Sequence, residues 1–437
     1  MLDIRFIRDN KDVVIAGAKK KHIKVDIDRL LQVDDKRRAL QVSIDEKRAE
    51  QNNASVAITG AKDDAEKQEL ISRMQNVKET LRLEEESMQE IMKEWRDLML
   101  QVPNVPDMTV SEGESDADNK EVRRWFPESG FDTKLSEVPC LPAGRDFPIK
   151  SHTELLLMHD MADYERGAKV AGFRGYFLKN DGARLVWALE RFVVERFMDR
   201  EGFTPAIVPS LVRRESFMGT GYLPQSEDDL YKTQDDDYLA GTAEVATMGY
   251  YMDEVLDKKD LPIKFFSFSP CFRREAGSHG KDTKGIFRIH EFLKYEQVVL
   301  CEASHEESVK HHEELTKNSE ELLKELKLPY HVVINCGADL GLGQVKKYDI
   351  EVWMPSEGKY RETHSSSYFH DFQARRLNIR YRDGDTLRYV HSLNNTALAV
   401  PRIVTQIVEN YQNKDGSITV PEVLRGYVGK EKIGKSN

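Results

Sequence analysis

Between residues 27 and 102 the chain carries one glycine, Gly60, and no proline. A stretch that long without a breaker is free to be helix throughout. Its apolar residues say which kind. In the second part they recur at Leu70, Met74, Val77 and Leu81, then at Met88, Ile91, Trp95 and Leu98. Alternating steps of four and three are the a/d seam of a coiled coil. The first part repeats it more weakly, at Leu30, Val33, Leu40 and Ile44, with Arg37, Lys47 and Gln51 at the same phase. Residues 52–63 between them are rich in turn formers. The spacing therefore predicts one long helix, a tip at 52–63, and a helix returning antiparallel, each about 40–50 Å long at 1.5 Å per residue. Such a hairpin buries its own seam and little else, so it must project from a body. A spacer or dimerisation coiled coil shares the pattern, but a hairpin closed within one chain is less suited to making oligomers.

Of the 437 residues 39% are hydrophobic and 32% charged, enough apolar material for a large core. A mean hydropathy of −0.60 and the lack of any apolar run near ~18 residues exclude a membrane-spanning helix. Residues 1–9 carry charges where a signal peptide needs an apolar run. Cys140, Cys271, Cys301 and Cys336 lie far apart with no C-x-x-C. Neither a zinc ribbon nor a disulfide framework is expected, and a reducing cytoplasm is the plain reading. The net charge is −11, and residues 27–102 hold 13 Lys and Arg against 17 Asp and Glu. Nucleic acid could be held only by a local face or the tip, not by bulk charge. The densest basic run, Lys19-Lys20-Lys21-His22-Ile23-Lys24, reads as a solvated face.

Pro103 and Pro106 end the second helix. Residues 111–120 read as a flexible acidic linker, and the composition turns globular from about 121. The expected division is an arm over 1–110, a linker over 111–120, a body over 121–425 and a loose tail over 426–437. In the body, helical patterns appear at 151–165, 181–201, 243–256 and 305–327. Strand-like runs appear at 263–268, 287–299, 330–335, 348–353 and 379–381. Strands separated by turns as often as by helices favour an α+β domain on an antiparallel sheet over a doubly wound parallel one.

Neither common nucleotide loop is present. Gly280-Lys281 is followed by Asp282 and lacks a glycine five residues earlier, and Gly341-Leu342-Gly343 has no third glycine. The informative stretch is 269–296, read as strand, glycine-rich polar loop, strand. Period-two alternation puts Arg288, His290, Phe292, Lys294 and Glu296 on one face of the returning strand. That face is a poor core and a good site for something anionic, flat and hydrogen-bonding. A merely solvated face is the alternative, and it would leave Phe292 exposed.

Ser269-Pro270-Cys271-Phe272-Arg273-Arg274-Glu275, with Phe287-Arg288-Ile289-His290-Glu291-Phe292, resembles motif 2 of class II aminoacyl-tRNA synthetases, and in detail that of the seryl-tRNA synthetase family. Gly241-Thr242-Ala243-Glu244 resembles the family's serine loop, and Gly219-Thr220-Gly221-Tyr222-Leu223-Pro224 a neighbouring element. Residues 348–355 with Tyr360-Arg361-Glu362 resemble the strand and loop that feed the family's ATP site, and Asp371-Phe372-Gln373-Ala374-Arg375-Arg376 is another close match. Residues 391–402, then 409–412 and 420–425, resemble motif 3 and the C-terminal signature, and 183–209, ending in Pro209, motif 1 at a dimer interface. The family also begins with an antiparallel helical arm. The resemblance covers nearly the whole chain, in order.

It implies a class II catalytic domain, an antiparallel sheet flanked by helices, behind a tRNA-binding coiled-coil arm. It implies L-serine, ATP, Mg²⁺ and tRNA(Ser) as ligands, tRNA(Sec) as a further candidate, a homodimer, and a cytoplasmic enzyme with no membrane partner. By the same resemblance Arg273 bridges the serine carboxylate and the ATP α-phosphate, where a guanidinium fork suits two planar anions. Glu275 holds the adenine or a neighbouring arginine. Phe292 stacks on the adenine, Arg288 contacts phosphates, and Arg402 clamps the γ-phosphate from a helix N-terminus. Glu362 and Ser365 ligate Mg²⁺. Thr242 and Glu244 take the ammonium of serine, Glu296 and Asn394 its hydroxyl, with Thr396 beside them. Arg273, Glu275 and Arg402 carry the catalytic assignment.

The sequence departs from the family pattern at Glu291, at 364–368 (His364-Ser365-Ser366-Ser367-Tyr368), and where three glycines give way to Asn395, Ala397 and Pro401. Pro401 is tolerable only in the first turn of a helix. Asn395 can take a left-handed conformation, and Ala397 only at a cost. Two other readings are a ligase that loads an amino acid onto another carrier, which the arm argues against, and a non-catalytic paralogue, which Arg273, Glu296 and Arg402 argue against.

Overall fold

The computed structural model describes residues 1–59, 63–127, 145–198, 200, 202–277, 280 and 282–434. It divides into two compact units, Met1–Pro103 and Asn104–Asn437.

In the first unit two short helices, α1 (Ile4–Asp9) and α2 (Lys11–Lys20), precede the long pair α3 (Ile27–Thr59) and α4 (Asp64–Gln101). The pair is antiparallel: Trp95 Nε1 donates to Asp34 at 3.1 Å, Ser43 donates to Glu84 at 3.0 Å, and Arg73 donates to Glu50 at 2.9 Å. Leu30, Val33, Ile44 and Leu81 are buried at the predicted seam. The tip is shorter than expected. Residues 52–59 continue α3, because Asn and Ser cost a helix only tenths of a kcal/mol each and no glycine or proline stops it before Gly60. Residues 60–62 fall outside the described ones. The basic run is not uniformly solvated. Lys21 is 3% exposed, and burial pushes its pKa well down.

Asp34 is the electrostatic node of this unit. Its carboxylate accepts from Arg8 at 2.8 Å, from Arg37 at 3.0 and 2.9 Å, and from the Trp95 indole. Burial opposes its charge, but Arg8 and Arg37 outweigh that and hold its pKa below the usual value. Removing a buried acceptor strands its donors, so Asp34→Ala should cost the arm roughly 2–3 kcal/mol. The check is the helical signal on heating, where an unshifted transition would show the node to be dispensable.

The second unit is built on an eight-stranded sheet. In chain order its strands are β1 (Lys120–Trp125), β2 (Phe203–Ile207), β3 (Ile263–Phe272), β4 (Glu291–Cys301), β5 (Tyr330–Ile334), β6 (Lys346–Met354), β7 (Lys359–His370) and β8 (His391–Ala399). Across the sheet they run β1-β5-β6-β7-β8-β4-β3-β2. Neighbours are antiparallel except the edge pair β2 and β3, which is parallel. The helices are α5 (His152–Met158), α6 (Tyr164–Ala171), α7 (Asp181–Met198), α8 (Arg214–Thr220), α9 (Ala243–Gly249), α10 (His305–Glu325), α11 (Phe372–Leu377), α12 (Val400–Asn410) and α13 (Arg425–Val428).

Strand alternation sorts the two faces of the sheet. Gln297 donates to Asn395 and to the Leu315 carbonyl of α10, and Thr316 of α10 donates to Ser366. Gln297, Asn395 and Ser366 thus face α10, so their neighbours Glu296, Asn394, Thr396 and Ser365 face the other way. Phe197 of α7 stacks on Phe266 at 4.2 Å, and Phe266 on Tyr295 at 5.3 Å, tying the motif 1 helix to β3 and β4; such stacks add about 0.5–1.5 kcal/mol beyond burial.

Some boundaries differ from expectation. The helix predicted over 151–165 is two, broken where Asp160 takes φ 52 and its carbonyl accepts from Asn180. The helix predicted to 256 ends at Gly249. Residues 111–120 are packed rather than a flexible linker: the Gly337 amide donates to the Ser111 carbonyl, the Cys336 amide donates to Asn119, and Ser115 caps a short turn of helix. The tail is packed through 434, with Ile433 buried in a strand pair, and 435–437 lie outside the described residues. Cys271, Cys301 and Cys336 are free and buried, while Cys140 lies outside the described residues. No described helix is long and apolar enough to cross a membrane.

Candidate active site

A cavity of about 280 Å³ opens over the face of the sheet away from α10, and all twelve residues singled out from the sequence line it. Arg273 and Glu275 follow the end of β3. Phe292 and Glu296 come from β4, Glu362 and Ser365 from β7, Asn394 and Thr396 from β8. Thr242 is the N-cap of α9, its hydroxyl accepting from the Glu244 amide at 3.3 Å. Arg402 sits in the first turn of α12, whose N-terminus takes Pro401 without a lost hydrogen bond. The predicted strand face holds from Phe292 onward. Arg288 and His290 precede the strand. Arg288 still reaches the cavity from its loop. His290 does not; its ring meets the Arg273 carbonyl at 2.9 Å.

One end of the cavity is cationic. Arg273 spends Nε and Nη2 on the Gly241 carbonyl, both at 3.2 Å, and lies over the Phe292 ring at 5.4 Å. Arg273 also lines the cavity. Glu275 accepts from Arg288 at 2.6 Å, and Arg174 lies 3.9 Å from the same carboxylate oxygen. Glu275 therefore holds arginines. Both Arg174 and Glu275 sit in the left-handed region, at φ 62 and 57, strain that such sites tolerate when their surroundings over-determine it. Arg402 donates to the Glu362 carbonyl at 3.0 Å and lies 3.3 Å from its carboxylate. Arg402 and Arg361 both lie against the Phe287 ring. Burial opposes ionisation of Glu362, but Arg402, Lys347, Arg273 and Arg288 outweigh it and hold its pKa below the ordinary carboxylate value.

The other end is a buried polar floor. Glu244 accepts from Gln373 at 2.7 Å and from Tyr222 at 3.1 Å. Ser392 in turn orients Gln373. Burial pushes the Glu244 pKa up to about 7; Gln373 and Lys294 pull it down, and Glu296 adds to the rise. Lys294 donates to Thr242 Oγ1 at 2.8 Å and lies 2.5 Å from Glu296 Oε2. The Thr242 oxygen thus accepts twice already, from Lys294 and from the Glu244 amide. With both lone pairs taken, the hydroxyl has a proton left to give. Lys294, Tyr222, Gln373 and Arg174 are the residues sequence reasoning left without a role. Lys294 was legible as one of the alternating face; Gln373 and Tyr222 lay within matched segments; Arg174 carried no signal.

Most departures from the family pattern fall behind the site. On β7, Thr363, Ser365 and Ser367 line the cavity, while His364 and Tyr368 are buried and absent from it. Burial holds the His364 pKa down to about 3, so it is neutral, and the Tyr368 hydroxyl donates to Asp107 at 2.9 Å. Asn395 takes no left-handed conformation: it is a strand residue whose side chain accepts from Gln297 and Ser319 and donates to the Ser365 carbonyl. Ala397 is likewise in the strand and fully buried in the core. Glu291 is exposed and off the cavity. Pro401 lines it, as do Ser365 and Ser367 of the departing run.

Among the described residues no group of three or more His, Cys, Asp or Glu side chains is arranged to hold a metal. The ionised Glu362 carboxylate with the Ser365 hydroxyl fits a magnesium ion of the kind that keeps its waters and takes phosphate oxygens, not a dedicated protein cage.

Comparison with known proteins agrees in both units. The family model for the seryl-tRNA synthetase N-terminal domain matches residues 1–106, and that for the tRNA synthetase class II core domain (G, H, P, S and T) matches 228–411. A serine–tRNA ligase from Deinococcus radiodurans is 43% identical over 99% of both chains. The crystal structure of a Pyrococcus horikoshii seryl-tRNA synthetase complexed with ATP superposes with a TM-score of 0.89 at 37% identity, covering 100% of each chain. That of a cytoplasmic serine–tRNA ligase from Naegleria fowleri complexed with AMP gives 0.85 at 30% identity, covering 100% of this chain and 99% of that one. The chain belongs to the seryl-tRNA synthetase family of class II aminoacyl-tRNA synthetases.

Proposed function

We propose that the chain activates L-serine with ATP to seryl-adenylate, releasing pyrophosphate, and transfers the serine to the 3′ end of tRNA(Ser). The carrying observation is that one cavity is lined by the buried carboxylates Glu244 and Glu296 together with Arg273, Arg288, Arg402 and the Phe292 ring.

The serine carboxylate attacks the α-phosphate in line, and the bond to pyrophosphate breaks. Arg273 holds the two anions together while Arg288 and Arg402 neutralise the leaving charge. This is positioning and electrostatics, with no covalent step on the protein. Glu275 keeps Arg288 in place, and Phe292 gives the adenine a face to stack on. Glu362 and Ser365 would hold the magnesium ion, which adds charge neutralisation at the phosphates. Glu244 receives the ammonium, and Glu296, Asn394 and Thr396 surround the hydroxyl. ATP–pyrophosphate exchange tested with each amino acid decides the reading: serine alone should support it, and exchange with none would indicate a non-catalytic paralogue.

Glu244 gives the pH dependence. An ammonium is held by the ionised carboxylate, and in the empty site its pKa is raised to about 7. Below that value protonation removes the partner. The apparent KM for serine should be flat above pH 7 and rise up to about tenfold per unit below it, while the KM for ATP stays level. A serine KM unchanged between pH 7 and 5.5 would take Glu244 out of the ammonium site.

The enzyme is a homodimer in this reading, and it works in the cytoplasm. α7 and β2 leave Trp187 66%, Met198 61% and Ile207 86% exposed, and Leu211 follows in the chain at 51%. Large apolar side chains left exposed along the segment that resembles motif 1 suit an interface, and the resemblance makes a second copy the occupant, through Pro209. Sedimentation at micromolar concentration should show a dimer of about twice 50.4 kDa; an active monomer there would contradict it. Charging assays with tRNA(Sec) beside tRNA(Ser) decide whether both are substrates.

A further inference from the structure

Lys294 stands at the floor of the cavity with 7% of its side chain exposed, beside Glu296 at 2%. A buried ammonium costs several kcal/mol to desolvate and is retained only where its N–H groups are used. One goes to Thr242 at 2.8 Å. A second faces Glu296 Oε2 at 2.5 Å. An ammonium has three, and Lys294 lines the cavity. Glu296 Oε2 is also incompletely used: it is buried, and beyond the Lys294 ammonium no other described group donates to it. The floor therefore offers a ligand one N–H donor and one carboxylate acceptor, side by side. A hydroxyl is one donor with two acceptor lone pairs, the complement of that pair.

We propose that Lys294 donates a hydrogen bond to the side-chain hydroxyl oxygen of bound serine while Glu296 accepts the hydroxyl proton. The substrate is then recognised by both its donor and its acceptor. Lys294 also supplies the counter-ion of Glu296, which leaves the ammonium of serine to Glu244. A methyl group in the same place leaves one N–H of the ammonium and one acceptor site of the carboxylate unmet at once, and a thiol satisfies each of them weakly. The inference rests on reading the cavity as a serine site, which exchange by the unmodified enzyme tests separately.

The test is ATP–pyrophosphate exchange by the full chain and by Lys294→Met and Lys294→Gln, with serine, alanine and cysteine, beside the KM for ATP and the melting temperature. In Lys294→Met, kcat/KM for serine should fall by about 30-fold, equal to about 2 kcal/mol, because a buried acceptor loses its donor. Alanine, which never used that donor, should change less than about threefold, so the preference for serine narrows. Lys294→Gln, whose amide can still donate, should recover part of the serine rate and none of the alanine rate. A uniform fall for all three amino acids and ATP, or an unchanged serine rate, in a variant that melts like the parent makes Lys294 structural and overturns the proposal. If Lys294→Met does not fold, Lys294→Gln decides on the same criterion, a selective loss for serine against a uniform one. Absence of serine exchange in the unmodified enzyme removes the serine site and the proposal with it.

Discussion

Replacing residues 38–90 with a short Gly/Ser link should leave ATP–pyrophosphate exchange within about twofold of the intact enzyme while cutting tRNA charging by about a hundredfold or more, since the surface we propose to read RNA goes and the catalytic unit stays. The cut spares the base of the hairpin, where Asp34 meets Arg8, Arg37 and Trp95. Every residue lining the cavity belongs to the other compact unit. The expectation about RNA follows from shape and charge. Paired helices of 33 and 38 residues make a rod, and a rod laid along double-stranded RNA meets backbone and 2′-hydroxyls, not base edges. With 13 basic against 17 acidic residues over 27–102, contact must be confined to one face or the tip. The intact enzyme's affinity for tRNA should still fall steeply with salt, because each phosphate contact releases counterions. Charging that persists near the intact rate would give the arm another purpose.

The arm and the site were legible in the sequence for different reasons. The arm is a local pattern: a seam at steps of three and four predicts its own partner face, and Leu30, Val33, Ile44 and Leu81 are buried where that pattern puts them. Its tip was misplaced because Asn52, Asn53 and Ser55 favour turns only weakly, and the helix runs on to Thr59. The twelve cavity residues were named through a resemblance, and the fold gathers them from β3, β4, β7, β8, α9 and α12. What stayed hidden is what topology alone brings together. Gln373 reaches Glu244 from 129 residues away, and Lys294 reaches Thr242 from 52. No spacing rule carries such pairs. Alternation also explains why the departures at 364, 368, 395 and 397 leave the cavity wall intact: each lies on the α10 side of its strand or in the core. The expected cost of a left-handed Ala397 does not arise, because the strand keeps that residue extended.

Glu296→Ala should lower serine activation by at least about 10²-fold, equal to about 2.7 kcal/mol, and narrow the preference for serine over alanine. Glu296 is four residues beyond Phe292 on β4, about 13 Å at 3.3 Å per residue, a fitting span from an adenine across the α-phosphate to an amino-acid side chain. The strands on either side place Ser267 and Thr396 opposite it. Its carboxylate is 2% exposed and can only accept. Serine brings a donor and alanine does not, so alanine leaves a buried acceptor site of the carboxylate unmet despite the Lys294 ion pair, a penalty of about 1–3 kcal/mol. Sites built to bind a hydroxyl can reject the analogue lacking it by roughly 10⁴-fold. Threonine keeps the hydroxyl and must be excluded by bulk, a weaker sieve for one methyl. The alanine variant also leaves Lys294 without its counter-ion, so part of its defect will be stability, seen as a lower melting temperature. Glu296→Gln separates the two effects, because it keeps the shape and an acceptor oxygen while removing the charge. It should fall between the parent and Glu296→Ala for serine, with the KM for ATP within a few-fold of the parent, since Glu296 lies at the opposite end of the cavity from Arg288 and Arg402. If Glu296→Gln melts like the parent and activates serine normally, or loses ATP and serine binding equally, Glu296 is structural and this face of β4 does not choose the amino acid.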